Sequence, residues 1–463
     1  MYCDTFEVNI RFGRIFCMIH AYWSSSDTRT SPTATLTQPI SAGDDRTARK
    51  AWAMSEESAQ EFAVTFRKTA YDGYRSFAYL KPDHDYEVFE LAKEFGRVPL
   101  YDMGLDEEQD IRTRRLIDDN IIISLHDHPN IFPADMSQVR DYIRTGREHT
   151  SYEGLSRSGM TAVFDNMMDG TACVTSKFGW KWDDIVYDLG MRLSDAAHQK
   201  YARIAYGVDD IIEAKQKGQI AIVLSLEAAT PIENEVDRLD ILYGLGVRQV
   251  GIAYSESNTL GSGLKEARDG GLTVFGRRAV ERMNALGIAI DVSHSGDQTC
   301  LDTFEHSSKP VFITHAGARS VWETARMKPD SVLKGCAETG GVIGLEAAPH
   351  TSLSHDHPEH SIESVMDHFV YCVELMGIDH VAFGPDTLYG DHMGMHTEFS
   401  QHLGLAQATA GPSFPRVEYV AGLENPTENF YNIVGWLVKH GFSDEDIVKV
   451  TGGNIMRVLN QVW

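Results

Sequence analysis

Two histidines one residue apart, His126 and His128, close a strongly apolar run that begins at residue 121. Side chains alternate between the two faces of a β-strand, so both imidazoles lie on one face and Asp127 lies on the other. Paired imidazoles at the end of a buried strand are typical ligands of a divalent metal ion. Either histidine taken alone could be an ordinary hydrogen-bonded structural residue.

Side chains that bind metals also end other apolar runs of the sequence, namely Glu227, His294, His315 and Asp386. Taken singly, Glu227 could be a buried ion-pair partner and Asp386 could begin a turn. Five of the eight apolar runs end in this way, however. One shared metal site explains all five better than five independent structural roles.

The size of this ligand set predicts two ions, because four imidazoles and two carboxylates exceed a single tetrahedral shell. We assign the first two histidines to one ion, the last two to the other, and Glu227 to both. Imidazole-rich sites favour zinc over calcium or magnesium, which prefer oxygen ligands. Two such ions can share a bridging hydroxide, and Asp386 would then carry protons to and from the reacting groups.

Eight apolar runs of strand length, separated by segments with helical periodicity, must position these side chains. Such alternation indicates a parallel sheet covered on both faces, and eight units indicate an α/β fold of the (β/α)8 TIM-barrel type. The C-terminal ends of its strands meet at one mouth, where active sites lie. The runs cover residues 121–128, 160–167, 220–227, 247–254, 288–294, 310–315, 342–347 and 381–386.

The chain before the barrel is predicted in two parts. Residues 1–53 are expected to form a disordered tail, because much of this stretch is rich in Ser, Thr, Pro, Asp and Arg. An export or anchoring segment within it is the alternative. Residues 54–118 are expected to form a helical N-terminal cap, with short helices between residues 56 and 95. Residues 119–463 are the predicted barrel.

Charge and cysteine distribution restrict the expected partners and location. The formal net charge is −25, which disfavours nucleic acid and anionic membrane surfaces and leaves a small molecule as the expected partner. The six cysteines are scattered without a C-x-x-C pair, which suits reduced thiols in the cytoplasm. No apolar run approaches the roughly 20 residues that span a bilayer.

From about residue 121 to residue 463 the sequence resembles the membrane (renal) dipeptidase family of metallopeptidases. The resemblance rests on "GLTVFGRRAVERMNALGIAIDVSHSG", "PVFITHAGARSV" and "HVAFGPD", which occur in the order and spacing of that family. It implies an amidohydrolase-like barrel with a dinuclear zinc site that hydrolyses short peptides, typically with a free carboxylate. It also makes a homodimer an expectation.

The resemblance also implies roles for individual residues. The implied metal ligands are His126, Glu227 as the bridge, His294 and His315. Asp386 corresponds to the acidic catalytic residue, and Arg326 to the arginine that pairs with a substrate carboxylate. For Arg326 the alternative is packing on Asp330 or on a neighbouring loop.

This chain departs from the family pattern at two positions. His128 stands where the family normally has an aspartate, so the motif is H-x-H and the site carries one negative charge less. Tyr254 stands at or beside the position of a histidine that polarises the substrate carbonyl. Its hydroxyl could donate the same hydrogen bond, although its reach differs.

The sequence therefore predicts a zinc-dependent hydrolase of a dipeptide or of another small amide that carries a carboxylate. One alternative is an amidohydrolase that acts on another C–N or C–O bond, in a lactam, a lactone, an N-acyl amino acid or a xenobiotic amide. The tyrosine at position 254 supports it. The other is a non-catalytic metal-binding protein, which the complete ligand set disfavours. The long segment that follows Asp386 is predicted to form a lid.

Overall fold

The computed structural model describes residues 69–167, 181–402 and 416–463. The predicted tail over residues 1–53 and the first part of the predicted cap lie outside these ranges. Residues 403–415 of the predicted lid also lie outside them.

Eleven strands of the described chain join in one curled sheet. The strands are β1 (Ile123–Ile131), β2 (His149–Thr150), β3 (Ala162–Asn166), β4 (Ala202–Ile204), β5 (Ile220–Leu226), β6 (Val247–Gly251), β7 (Ala289–Asp291), β8 (Phe312–Ala316), β9 (Val342–Leu345), β10 (Val381–Phe383) and β11 (Leu388–Tyr389). The order is β10-β9-β8-β7-β6-β5-β3-β1-β11, and neighbours on this path are parallel. β2 pairs with β1 in the antiparallel sense, and β4 lies beside β5.

The sheet returns to its first strand because β11 follows β10 in the chain and pairs with β1. At this seam between the first and last strands, the amide of Asp386 donates to the carbonyl oxygen of His126 over 3.0 Å. The amide of His128 donates to the carbonyl oxygen of Thr387 over 2.8 Å. The predicted barrel is confirmed, and each predicted run contains a barrel strand. β1 differs at its end, because it continues past His128 to Ile131.

Helices connect the strands and pack against the sheet. They are α1 (Glu107–Asp119), α2 (Val139–Thr145), α3 (Tyr152–Arg157), α4 (Trp182–Ala196), α5 (Val208–Lys217), α6 (Arg238–Gly244), α7 (Val274–Leu286), α8 (Asp297–His306), α9 (Asp330–Glu338), α10 (Ile362–Met376), α11 (His392–His402), α12 (Asn429–Lys439), α13 (Asp444–Val448) and α14 (Asn454–Val462). Across the described ranges, none of them combines the length and the apolar character that crossing a membrane requires.

Helix α7 illustrates how the sequence determines where a helix begins, where it ends and which face it buries. The hydroxyl of Thr273 accepts from the amide of Gly276 at its start, and Gly287, with φ +79°, ends it. Val280 and Met283 are buried on one face of the helix. This amphipathic face fixes the helix between β6 and β7 on the outside of the sheet.

The segment before the barrel differs from its prediction. Residues 69–106, the described part that precedes α1, contain turns and isolated bridges and no helix. The helices predicted as far as residue 95 are therefore wrong over this part. Phe77 and Asp83 have φ values of +60° and +59°, a left-handed conformation that interrupts a helix. The segment is held to the barrel by hydrogen bonds, such as that from the Phe77 amide to the Asp195 carboxylate at 2.7 Å.

Candidate metal centre

Side chains from β1 and from the residues that follow β5 and β10 converge at the mouth of the barrel. Nε2 of His126 lies 3.2 Å from Oε1 of Glu227 and 3.3 Å from Oδ1 of Asp386. Nε2 of His128 lies 3.2 Å from the same Asp386 oxygen and 3.8 Å from Oε1 of Glu227. All four side chains are largely buried. The predicted first half of the centre is thus assembled.

The second pair of histidines lies on the other side of Glu227. Its Oε2 atom is 3.8 Å from Nε2 of His294, and Nε2 of His294 is 2.9 Å from Nε2 of His315. The two carboxylate oxygens of Glu227 therefore face different histidine pairs. This is the arrangement that the predicted bridging role requires.

The potential ligand atoms fall into three overlapping groups, each with its atoms within 4.8 Å of one another. The groups are His126 with His128 and Glu227, Glu227 with His294 and His315, and His126 with His315 and Asp386. The first two are the sets that the sequence predicts for the two ions. The third group shows that Asp386, predicted as a proton carrier, also lies close enough to His126 and His315 to share a metal ion with them.

The chemistry of these atoms fits bound cations. Nε2 of His126 is completely buried between two carboxylates, yet it makes no well-formed hydrogen bond with any described residue. The Nε2 atoms of His294 and His315 face each other at 2.9 Å, close enough for both to reach one cation. Nitrogen and carboxylate ligands of this kind suit zinc and similar divalent ions.

The outer ring nitrogens of the histidines are fixed by neighbouring residues, which orients the inner nitrogens. Nδ1 of His128 lies 3.1 Å from the carbonyl oxygen of Asn166, and the side-chain amide of Asn166 lies 3.2 Å from Nδ1 of His126. Nδ1 of His315 lies 2.9 Å from the hydroxyl of Thr314. For His128, the carbonyl acceptor holds the hydrogen on Nδ1 and leaves Nε2 free to bind a metal. Asn166 was missed in the sequence, although a polar residue near the end of a buried run was a signal for it.

Burial and charge set the protonation of these groups. Burial alone would lower the pKa of His126, but the carboxylates of Asp386 and Glu227 raise it to about 9. Burial would raise the pKa of Asp386, yet His126 and His128 hold it well below its usual range. Burial holds the pKa of His294 and of His315 well below the ordinary value. A cation that binds at His126 therefore displaces a proton.

The two predicted substrate-binding residues lie beside the second histidine pair. The ring of Tyr254 stacks on that of His294, with centroids 4.0 Å apart and planes 20° apart. Nη2 of Arg326 donates to the carbonyl oxygen of His315 over 2.8 Å and to the carboxylate of Glu346. Among the described residues no hydrogen bond or ion pair joins Arg326 to Asp330, whose carboxylate accepts from the hydroxyl groups of Ser320 and Tyr371. The roles of Tyr254 and Arg326 toward substrate stay predictions.

Replacing Gly251 with alanine should disturb Glu227. An added Cβ would lie 1.7 Å from the carbonyl oxygen of Glu227, so the backbone that carries this ligand must move. We expect a loss of stability of about 1–3 kcal/mol, the usual cost of overpacking, together with a lower metal content. Thermal denaturation and elemental analysis measure both.

The matched control is Gly190→Ala within α4, where an added Cβ meets no atom within 4 Å. This change should leave the metal content unaltered and stabilise the helix by roughly 0.5–1 kcal/mol. A folded Gly251→Ala protein with the full metal content would contradict the expected displacement.

Comparison with solved structures identifies the class of the fold. An amidohydrolase from Pseudomonas aeruginosa superposes with a TM-score of 0.62 at 24% identity, over 76% of this chain and 99% of that one. The two proteins thus share an α/β barrel fold.

Comparison with known sequences then gives the family. The family described as "Membrane dipeptidase (Peptidase family M19)" matches residues 186–401. A Klebsiella pneumoniae protein, named "Uncharacterized protein in pqqA 5'region", is 30% identical over 270 residues, which cover 56% of this chain and 89% of that protein. The chain belongs to the membrane dipeptidase family, peptidase family M19.

One relative carries the name of an enzymatic activity, and a smaller part of its length matches this chain. Dipeptidase tcpJ of Claviceps purpurea is 29% identical over 262 residues, which cover 56% of this chain and 55% of that protein. The chain thus spans about half the length of this relative. The family match begins after His126 and His128, so the place of these two residues in the centre rests on the geometry.

Proposed function

We propose that this chain is a zinc-dependent hydrolase of the dipeptidase type, which cleaves the amide bond of a dipeptide or of a similar small molecule. The observation that carries the proposal is the position of Glu227, whose two oxygens face separate histidine pairs. The family membership and the name of the relative tcpJ support it.

The residues of the site would have distinct roles in the reaction. Four histidines and Glu227 would hold two ions, which activate a water molecule and polarise a carbonyl group when bound. Asp386 places a carboxylate oxygen beside the ligand atoms of His126 and His128, so it can take a proton from the attacking water. It then returns this proton to the departing amine. Asn166 and Thr314 keep the imidazoles in the orientation that this requires.

The metal content gives the first test. Elemental analysis should find close to two equivalents of zinc per chain, because the ligand atoms form two groups around Glu227. A chelator should abolish hydrolysis of a dipeptide panel and lower the melting temperature, since ions that bind only the folded chain stabilise it. Restoring zinc should reverse both changes. Active protein with one ion or none would reject the dinuclear assignment.

A second candidate function is the hydrolysis of another C–N or C–O bond, as in a lactam, a lactone, an N-acyl amino acid or a xenobiotic amide. It is favoured by Tyr254, which stacks on His294, and by Arg326, whose guanidinium already has a carboxylate partner in Glu346. Turnover of linear L-L and L-D dipeptides against cyclic amides and lactones distinguishes the two functions.

The proposal includes a cytoplasmic setting and a small-molecule substrate, with a homodimer as the expected assembly. Cys300, Cys336 and Cys372 are buried free thiols, which suits a reducing compartment. The net charge of −25 supports a function without nucleic acid or anionic membrane partners.

A further inference from the structure

Arg326 and Glu346 form a buried ion pair at the edge of the metal centre. Glu346 directly follows β9 and is completely buried, whereas Arg326 keeps 8% of its surface exposed. The partly exposed member of the pair is therefore Arg326, which also donates to the backbone of the candidate ligand His315. Burial raises the pKa of Glu346 to about 7, although the charge of Arg326 opposes this rise.

The hydrogen bonds of Arg326 leave little of its guanidinium for a ligand. Both hydrogens of Nη2 are used, one by the carbonyl oxygen of His315 and one by the carboxylate of Glu346. Nη1 donates weakly to the carbonyl oxygen of Ser293 over 3.4 Å. A guanidinium grips a carboxylate through two parallel N–H groups, either Nη1 with Nη2 or Nε with Nη2. Each of these pairs needs a hydrogen of Nη2.

The charges of the pair also disfavour a carboxylate ligand at Arg326. In its ionised form, which the charge of Arg326 favours, Glu346 balances that charge, and a second carboxylate at the same guanidinium would stand close to the first. Like charges in a desolvated site oppose each other strongly. A neutral carbonyl oxygen needs a single N–H donor and brings no charge, so it fits the donors that remain.

From the Arg326–Glu346 pair we propose that the centre selects substrates that present a neutral carbonyl group to Arg326, as in an amide, an ester or a lactam. Glu346 determines this selectivity. The inference rests on the proposed function for the position of the substrate. It replaces the free carboxylate that the family resemblance implies for this end.

Binding of two phosphinate mimics of a dipeptide, one with a free terminal carboxylate and one with a terminal amide, tests the proposal. Calorimetry with zinc-loaded wild type should show at least about tenfold tighter binding of the amide, which is the scale of an unfavourable charge contact. Glu346→Gln keeps the shape and removes the charge. It should strengthen binding of the acid about tenfold and change binding of the amide by less than about threefold.

The matched control is Asp297→Asn, which removes one carboxylate from another arginine pair, that with Arg319. It should keep the wild-type preference. Tighter binding of the acid by wild type, or an unchanged preference in folded Glu346→Gln, would overturn the proposal. If Glu346→Gln fails to fold, the comparison of acid and amide binding by the wild type still tests the proposal. If the amide is preferred in binding but the corresponding dipeptides are not hydrolysed, the proposed function fails and this inference stands.

Discussion

Asp386→Asn should lower the turnover of the best substrate by about 10²-fold or more, the usual scale for a lost acid–base group. Oδ1 of Asp386 lies 3.3 Å from Nε2 of His126 and 3.2 Å from Nε2 of His128, and the asparagine occupies the same place without accepting a proton. Most of the bound metal should remain, because Glu227 and four histidines are unchanged. Steady-state kinetics and elemental analysis measure the two effects.

Asp391→Asn, on the same segment just before α11, is the matched control and should retain near-normal turnover. Near-normal turnover of Asp386→Asn would refute the proton-carrying role. Complete loss of metal from Asp386→Asn would show instead that this carboxylate is required as a ligand, as its grouping with His126 and His315 allows.

Glu227→Gln should have the larger effect on metal content. Each carboxylate oxygen faces one histidine pair, and a glutamine offers a single neutral oxygen to the two. Loss of an outer partner of a metal ligand already costs about 10–100-fold in affinity, so loss of a charged bridging ligand should exceed that. We expect one or both ions to dissociate during dialysis and hydrolysis to disappear with them.

Glu94→Gln provides the comparison for this change. Glu94 is a partly buried glutamate, and it accepts hydrogen bonds from Ser151 and Gly154. Its replacement should leave the metal content at the wild-type level. A Glu227→Gln protein that binds two ions as tightly as wild type would contradict the assignment of Glu227 as the bridging ligand.

The sequence predicts the barrel strands and the residues at their ends because both signals are local. An apolar run of strand length identifies each strand, and a ligand-type residue at its end identifies the centre, as for His294 and His315. Glu346 follows an equally clear run, yet its function depends on Arg326, which reaches it from the loop after another strand. The irregular segment around Phe77 was also mispredicted, because contacts with the barrel determine its backbone.

The seam that joins β1 to the end of β10 has a consequence for how the protein folds. The hydrogen bond between Asp127 and Thr387 joins residues separated by 260 positions, and contacts of such long range form late and slowly. The centre cannot exist before this closure, since His126 and Asp386 stand on opposite sides of the seam. Ions shared across it would bind only the closed ring of strands and slow its reopening, so metal loading should lengthen the lifetime of the native state as well as enable chemistry.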